Sequence, residues 1–165
     1  MFSVGILTMS DKGSRGERED ISGMVIRDVV TSVMDCRVIK YEIVPDEKDL
    51  ISRKLVEWSD TGDIDVILTT GGTGLAARDV TPEATLAVIE KQVPGIPEAV
   101  RMGTMNKTPT AMLSRAVAGV RKQTLIINMP GSPRAVRECL EIIVKALPHA
   151  VEIMKGTFTE HQPTK

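Results

Sequence analysis

Aromatic side chains are scarce: Phe2, Tyr41, Trp58 and Phe158 are the only ones among 165 residues. The stacking platforms of a single-strand nucleic-acid binder are therefore missing. An excess of either charge is missing too. With 21 basic against 22 acidic residues the formal net charge is -1, which leaves nothing to neutralise a nucleic-acid backbone or an anionic membrane. No apolar run approaches the roughly 20 residues of a membrane span, and the opening Met-Phe-Ser-Val-Gly lacks the basic head of a signal peptide. The expectation is a cytoplasmic protein with neither a nucleic-acid nor a membrane partner. Cysteine is nearly absent: Cys36 and Cys139 stand far apart without neighbouring His or Cys, so neither a disulfide framework nor a zinc site is suggested, and both read as ordinary buried thiols. The two histidines, His149 beside Pro148 and His161 near the end of the chain, offer no arguable Ser-His-Asp or Cys-His pairing.

What the chain does have is apolar content, 42% of it, enough for one sizeable core and one domain over residues 1–155, with 156–165 as a polar, loosely ordered tail. Short apolar runs rich in β-branched residues recur at Ser3–Met9, Arg37–Val44, Asp65–Thr70 and Thr124–Met129, each compatible with a buried strand. Helical patterns lie between them. Ile26, Val29, Val30 and Val33 share one helical face, as do Ile51, Leu55 and Trp58, and later Val136, Leu140, Ile143, Val144 and Leu147. The alternation predicts an α/β fold, a mostly parallel sheet covered by helices on both faces, with any ligand at the carboxyl ends of the strands. A further helix from Pro97 to Met105, carrying Ala99, Val100 and Met102, is either core or subunit contact, and core is the favoured reading.

Four loops fall at that sheet edge. The strand ending Thr69-Thr70 runs straight into Gly71-Gly72-Thr73-Gly74. Backbone so poor in side chains lets phosphate oxygens approach and several N–H groups converge on them, although a tight turn would need the same glycines. Neither the P-loop spacing nor the dinucleotide fingerprint is present. Next comes Arg78-Asp79-Val80-Thr81-Pro82-Glu83, where Thr81 reads as an N-cap with Pro at the first helical position. Arg78 and Asp79, just before that cap, are either a solvated pair or a phosphate-binding guanidinium and a magnesium-binding carboxylate. Asp46, in Val44-Pro45-Asp46-Glu47, is either the N-cap of the helix carrying Ile51 or a second carboxylate facing the same crevice. After the first strand, Ser10-Asp11-Lys12-Gly13, Gly16 and Asp20-Ile21-Ser22-Gly23 make a long polar loop, bordering a nucleotide or simply mobile. After the last strand, Asn128-Met129-Pro130-Gly131-Ser132-Pro133 leads into the final helix, whose N-terminus is a natural anion site.

Taken together, the Thr69–Gly74, Arg78–Ala84, Leu113-Ser114-Arg115 and Asn128–Pro133 segments resemble the MogA/MoaB family of molybdopterin adenylyltransferases, which includes the G domains of gephyrin and of its plant counterpart. The resemblance covers Val4 to about Lys155. It implies a three-layer α/β/α sandwich, ATP and molybdopterin as substrates, Mg2+ as cofactor, a homotrimer with a hexamer as the alternative, and a metal-insertion protein downstream. Carried over by position, Asp46 and Asp79 are similar to the family's two functional aspartates and would hold the metal. The Gly71–Gly74 loop looks like its phosphate-binding turn, and Ser114, Asn128, Pro130, Gly131, Ser132 and Pro133 look like parts of the same pocket; from their place at the strand ends, Ser10, Asp11, Thr70 and Arg78 are expected to join it. Members often have a proline where Leu75-Ala76-Ala77 stands, so that connection is expected to be less rigid. The rival readings are a MoaB-type paralogue, a molybdopterin-holding scaffold without chemistry, and a generic nucleotide-binding domain.

Overall fold

Every residue of β3 (Val66–Thr70) and β6 (Thr124–Met129) is buried. These are the central strands of a six-stranded sheet in a computed structural model, which describes residues 1–157. The sheet runs β2-β1-β3-β6-β5-β4. β1 (Phe2–Met9) pairs in parallel with β2 (Cys36–Val44) on one side and with β3 on the other, and β3 pairs in parallel with β6. β5 (Ala118–Arg121) and β4 (Lys91–Gln92) then add antiparallel. The sheet is therefore mostly parallel, as expected, with an antiparallel edge that periodicity does not foretell. β2 is the other edge and only half-buried, not the fully buried strand its composition suggests.

Alternation along the strands separates two cores. Val66 and Leu68 of β3, with Leu125, Ile127 and Met129 of β6, pack on one face against Ile26 and Val30 of α2 (Ile21–Val33) and against α6 (Pro133–Ile143) and α7 (Leu147–Lys155). Ile67 and Ile126 point to the opposite face, onto Ile51, Leu55 and Trp58 of α3 (Lys48–Asp60) and Ala84 of α4 (Thr81–Leu86). Burying one large aliphatic side chain contributes about 1.5–3 kcal/mol, so each inward row is a strong determinant of register: a one-residue slip would exchange the two faces. The result is the three-layer α/β/α sandwich.

The helical patterns hold with two corrections. The Val136–Leu147 pattern is two helices, because α6 ends at Ile143 and α7 begins at Leu147 with Pro148 in its first turn; the helix after the Asn128–Pro133 loop is thus not the last. The other concerns α5 (Gly95–Thr104), where Pro97 is buried and Val100 packs against the core, while Ala99 lies exposed and Met102 is 74% exposed, so the core reading holds for Val100 and not for Ala99 and Met102. Of the thiols, Cys139 is buried while Cys36 is only partly so. His149 falls in the first turn of α7. Most of the expected tail, with His161, lies outside the described residues, among which no helix is long and apolar enough to cross a membrane.

Candidate functional site

The order β2-β1-β3-β6 puts a topological switch between β1 and β3: the chain leaves β1 toward β2 and continues from β3 toward β6. In open α/β sheets a crevice opens at such a point, at the carboxyl ends of the strands. Here it is a cavity of about 430 Å³ with Met9 and Ser10 from the end of β1, Asp46 from beyond β2, Thr70 to Gly72 from β3, and Gly131 to Pro133 from beyond β6. A second cavity of about 620 Å³ opens beside it, with Thr73, Gly74, Leu75, Arg101, Ser114, Pro130 and Glu138 in its walls. Both cavities share Gly72, Asp79, Gly131 and Ser132.

The glycine loop stands between them. Gly71 and Gly72 have φ of 95° and 68°, the left-handed region in which a side chain is strained. A Cβ on Gly71 would lie 2.4 Å from the Met9 carbonyl oxygen, and one on Gly72 would lie 2.3 Å from Thr81 Oγ1. All four carbonyls of the loop are held by the protein: Gly71 O accepts from Thr81 Oγ1 at 2.9 Å, Gly72 O from Thr81 N at 3.1 Å, Thr73 O from Arg115 N at 2.9 Å, and Gly74 O from Arg115 Nε at 2.8 Å. Among the described residues the N–H groups of Gly72, Thr73 and Gly74 have no such partner. Backbone amides left unpaired beside a cavity are suited to anionic oxygens.

Two expected caps become something else. Val80, not Thr81, is the N-cap of α4, and it makes no side-chain cap bond; the Thr81 hydroxyl is spent on the glycine loop instead. Glu47, not Asp46, caps α3. Asp46 Oδ2 accepts from Asp11 N at 3.1 Å, and Asp46 N donates to Asp11 Oδ1 at 3.1 Å. Burial holds the Asp46 carboxyl above its usual range; the Asp11 and Asp79 charges push the same way, while the Asp11 N–H and the Arg78 guanidinium oppose them. Asp79 Oδ2 accepts from Ala76 N at 2.9 Å, which closes the 76–79 turn.

Of the residues expected at the site, Ser10, Asp46, Thr70, Gly71 and Pro133 line the first cavity, Thr73, Gly74, Ser114 and Pro130 line the second, and Gly72, Asp79, Gly131 and Ser132 line both. Asp11, Arg78 and Asn128 line neither. Arg78 instead holds Asp11 bidentately, Nη2 to Oδ1 at 2.6 Å and Nε to Oδ2 at 3.0 Å, which draws the Asp11 carboxyl below its usual range. Asn128 is buried behind the loop, where its Nδ2 donates to Thr69 Oγ1 at 3.0 Å and to Thr85 Oγ1 at 2.9 Å. Ser132 caps α6 by accepting from Ala135 N at 3.1 Å, so that helix N-terminus does face the site.

A family model for a "Probable molybdopterin binding domain" matches residues 5–149. The chain belongs to that molybdopterin-binding family. The molybdopterin adenylyltransferase of Helicobacter pylori strain J99 is 44% identical over 158 residues, covering 95% of this chain and 90% of that protein. The molybdopterin adenylyltransferase of Escherichia coli K12 is 35% identical over 173 residues, with 97% and 89% covered. Among solved structures, the molybdopterin biosynthesis enzyme MoaB from Thermus thermophilus matches with a TM-score of 0.88 at 52% identity, over 94% of this chain and 98% of that one. The MogA/MoaB resemblance of the motifs is thereby borne out.

Three contributors to this molybdopterin-binding domain's site went unassigned in the sequence. Arg115 clamps the glycine loop and reaches on, with Nη2 donating to Asp79 O at 2.6 Å and Nη1 paired with Glu83. Asp20 caps α2 and lines the first cavity, Oδ1 accepting from Gly23 N at 2.9 Å and Oδ2 from Thr8 Oγ1 and Tyr41 Oη, both at 2.6 Å. Ser22 Oγ donates to Gly131 O at 2.6 Å, tying the start of α2 to the loop beyond β6. Asp20 before a helical pattern is a readable cap; Arg115 and Ser22 act over 41 and 109 residues of chain, where no local signal exists.

Proposed function

We propose that residues 1–155 form one catalytic domain that transfers the adenylyl group of ATP to the terminal phosphate of molybdopterin. The observation that carries this reading is the wall common to both cavities, made of Gly72 from the glycine loop with Asp79, Gly131 and Ser132. Two anionic substrates can meet there. A phosphate oxygen of molybdopterin attacks the α-phosphorus of ATP, the bond to the bridging oxygen of the β-phosphate breaks, and pyrophosphate leaves. The attacking phosphate is already largely ionised at neutral pH, its second ionisation lying at about pH 6, so no strong base is required. Catalysis then reduces to positioning and to donors aimed at the phosphates, which the N–H groups of Gly72–Gly74 and the α6 N-terminus supply.

Mg2+ fits this donor set. Asp46 and Asp79 face the same cavity, and a half-buried Asp46 pushed toward its neutral form by desolvation and by the Asp11 and Asp79 charges is a group that a cation would relieve. No cluster of three or more His, Cys, Asp or Glu side chains able to hold a metal exists among the described residues, in keeping with magnesium held by one or two carboxylates and completed by substrate phosphates. When bound, it would neutralise charge between like-charged reactants. Asp46 and Asp79 hold and orient; neither has a proton to abstract.

The exposed Ala99 and Met102 face of α5 suits self-association, as a homotrimer or, failing that, a hexamer. A metal-insertion protein would receive the product, and the cytoplasm is the proposed site of action. The test is incubation of purified protein with molybdopterin, ATP and magnesium, followed by chromatography of adenylylated molybdopterin and pyrophosphate. Both are expected, and Asp79→Ala is expected to lower turnover more than pterin affinity. Tight pterin binding without product under any nucleotide condition would instead favour a carrier or scaffold, or a non-catalytic MoaB-type paralogue.

A further inference from the structure

The second cavity has an acid in its wall that the transfer chemistry does not use. Glu138, on the second turn of α6, is 9% exposed and lines the cavity. Its hydrogen-bond partner among the described residues is the Nε of Arg134, which reaches Oε1 at 3.1 Å from a side chain that is itself 77% exposed. A carboxylate has about four lone-pair sites on its two oxygens, so both remain able to accept. Burying a carboxylate with one solvent-facing partner is costly unless something else satisfies it. Asp20, by contrast, is already saturated by Gly23, Thr8 and Tyr41.

The surroundings of Glu138 suit a flat heterocycle. Val100, Ala111, Leu113, Pro130 and Ala135 make the cavity walls largely apolar around Glu138, Arg101 and the shared Asp79, whereas the first cavity adds Arg18, Glu19, Asp20 and Asp46 to Asp79. Resting on the reading that molybdopterin and ATP occupy the two cavities, we infer that Glu138 recognises the pterin ring, accepting its N3–H and 2-amino N–H in a two-point contact. The chemistry discriminates between the two substrates. A pterin presents two adjacent donors along that edge, which match the two oxygens of one carboxylate. Adenine presents one donor, its 6-amino group, beside the N1 lone pair, and that lone pair would face the second carboxylate oxygen and be repelled. Glu138 therefore assigns the pterin to the second cavity and leaves the triphosphate to the first. Their phosphates then converge on the shared Gly72, Asp79, Gly131 and Ser132.

The experiment compares binding of 6-hydroxymethylpterin and 6-hydroxymethyllumazine, in which an oxo group replaces the 2-amino group, followed by ligand fluorescence. Wild-type protein is expected to favour the pterin by about tenfold or more, the scale of one or two hydrogen bonds to a charged group. E138Q, whose amide offers one acceptor and one donor, is expected to lose pterin affinity by about ten- to hundredfold and to narrow or invert the preference. R134A, which removes only the exposed partner, is expected to keep the preference. An E138Q protein that melts like wild type and discriminates as wild type does overturns the inference, even while product formation from molybdopterin leaves the proposed activity standing. Should E138Q fail to fold, an N3-methylated pterin decides on the wild type alone: affinity about tenfold weaker supports the contact, and equal affinity overturns it. A wild type that binds neither probe nor molybdopterin overturns both readings together.

Discussion

Gly72→Ala isolates the backbone device on which the glycine loop depends. At φ 68° an L side chain costs about 1–2 kcal/mol. The added methyl would also stand 2.3 Å from Thr81 Oγ1 and 3.2 Å from Asp46 Oδ1, so Thr81 must swing away and its bond to the Gly71 carbonyl is lost. A buried hydrogen bond of that kind contributes about 1 kcal/mol, which puts the expected destabilisation at about 2–3 kcal/mol. For a chain of this size each kcal/mol moves Tm by about 2–4 °C, so a fall of about 4–12 °C is expected by differential scanning calorimetry. Gly131→Ala is the control: its Cβ would meet nothing nearer than Gly71 Cα at 3.5 Å, an ordinary contact, and its stability should stay within about 0.5 kcal/mol of wild type. Equal melting of Gly72→Ala and wild type would refute the claim that strain and the Thr81 contact hold this loop.

Asp46→Asn should separate stability from activity. Because burial and the Asp11 and Asp79 charges raise the folded-state pKa of Asp46, its favourable contribution is fully present below the ordinary aspartate value of 3.8 and is lost as pH rises through the folded value. The neutral amide escapes that loss, so the variant is expected to melt higher than wild type at pH 7 and equal to it in acid, with turnover gone; lower stability at pH 7 would contradict the electrostatic account. Arg115→Ala removes the donors to Gly74 O and Asp79 O and the partner of Glu83, and kcat is expected to fall by about tenfold or more through misplacement of Asp79. Arg115→Lys, which cannot reproduce the fork, should recover only part of it; full recovery would show that charge alone matters.

How much of this was legible in the sequence divides by range. The four parallel strands and the loops at their ends were readable because each is a local run of β-branched residues with turn residues after it, and the α/β rule then gathers the loops at one edge. The antiparallel β5–β4 edge was not. Lys91-Gln92 is two exposed residues and Ala118–Arg121 is four with a glycine, too short for any period, so their pairing exists only because β6 presents an edge. Caps were misread at Thr81 and Asp46 for a related reason. Either side chain satisfies the local preference, but each has a longer-range partner, Gly71 O for Thr81 and Asp11 N for Asp46.

Arg78 shows how the same competition bears on function. A guanidinium beside a glycine loop invites assignment to phosphate, and its bidentate geometry suits one. In the fold that geometry is already met by Asp11, 67 residues earlier in the chain, and the Asp11 backbone is in turn bonded to Asp46 in both directions. Arg78 therefore acts on the proposed metal carboxylate both by its own charge, which lowers the Asp46 pKa, and through Asp11. By fixing Asp11, it holds a negative charge and an N–H donor against Asp46 together, one raising its pKa and the other lowering it. A phosphate that drew Arg78 away would leave Asp11 uncompensated beside Asp46 and raise the cost of charging both. On this geometry the exposed pair is better suited to orienting Asp46 than to receiving the triphosphate, which the unpaired amides of Gly72–Gly74 are placed to do.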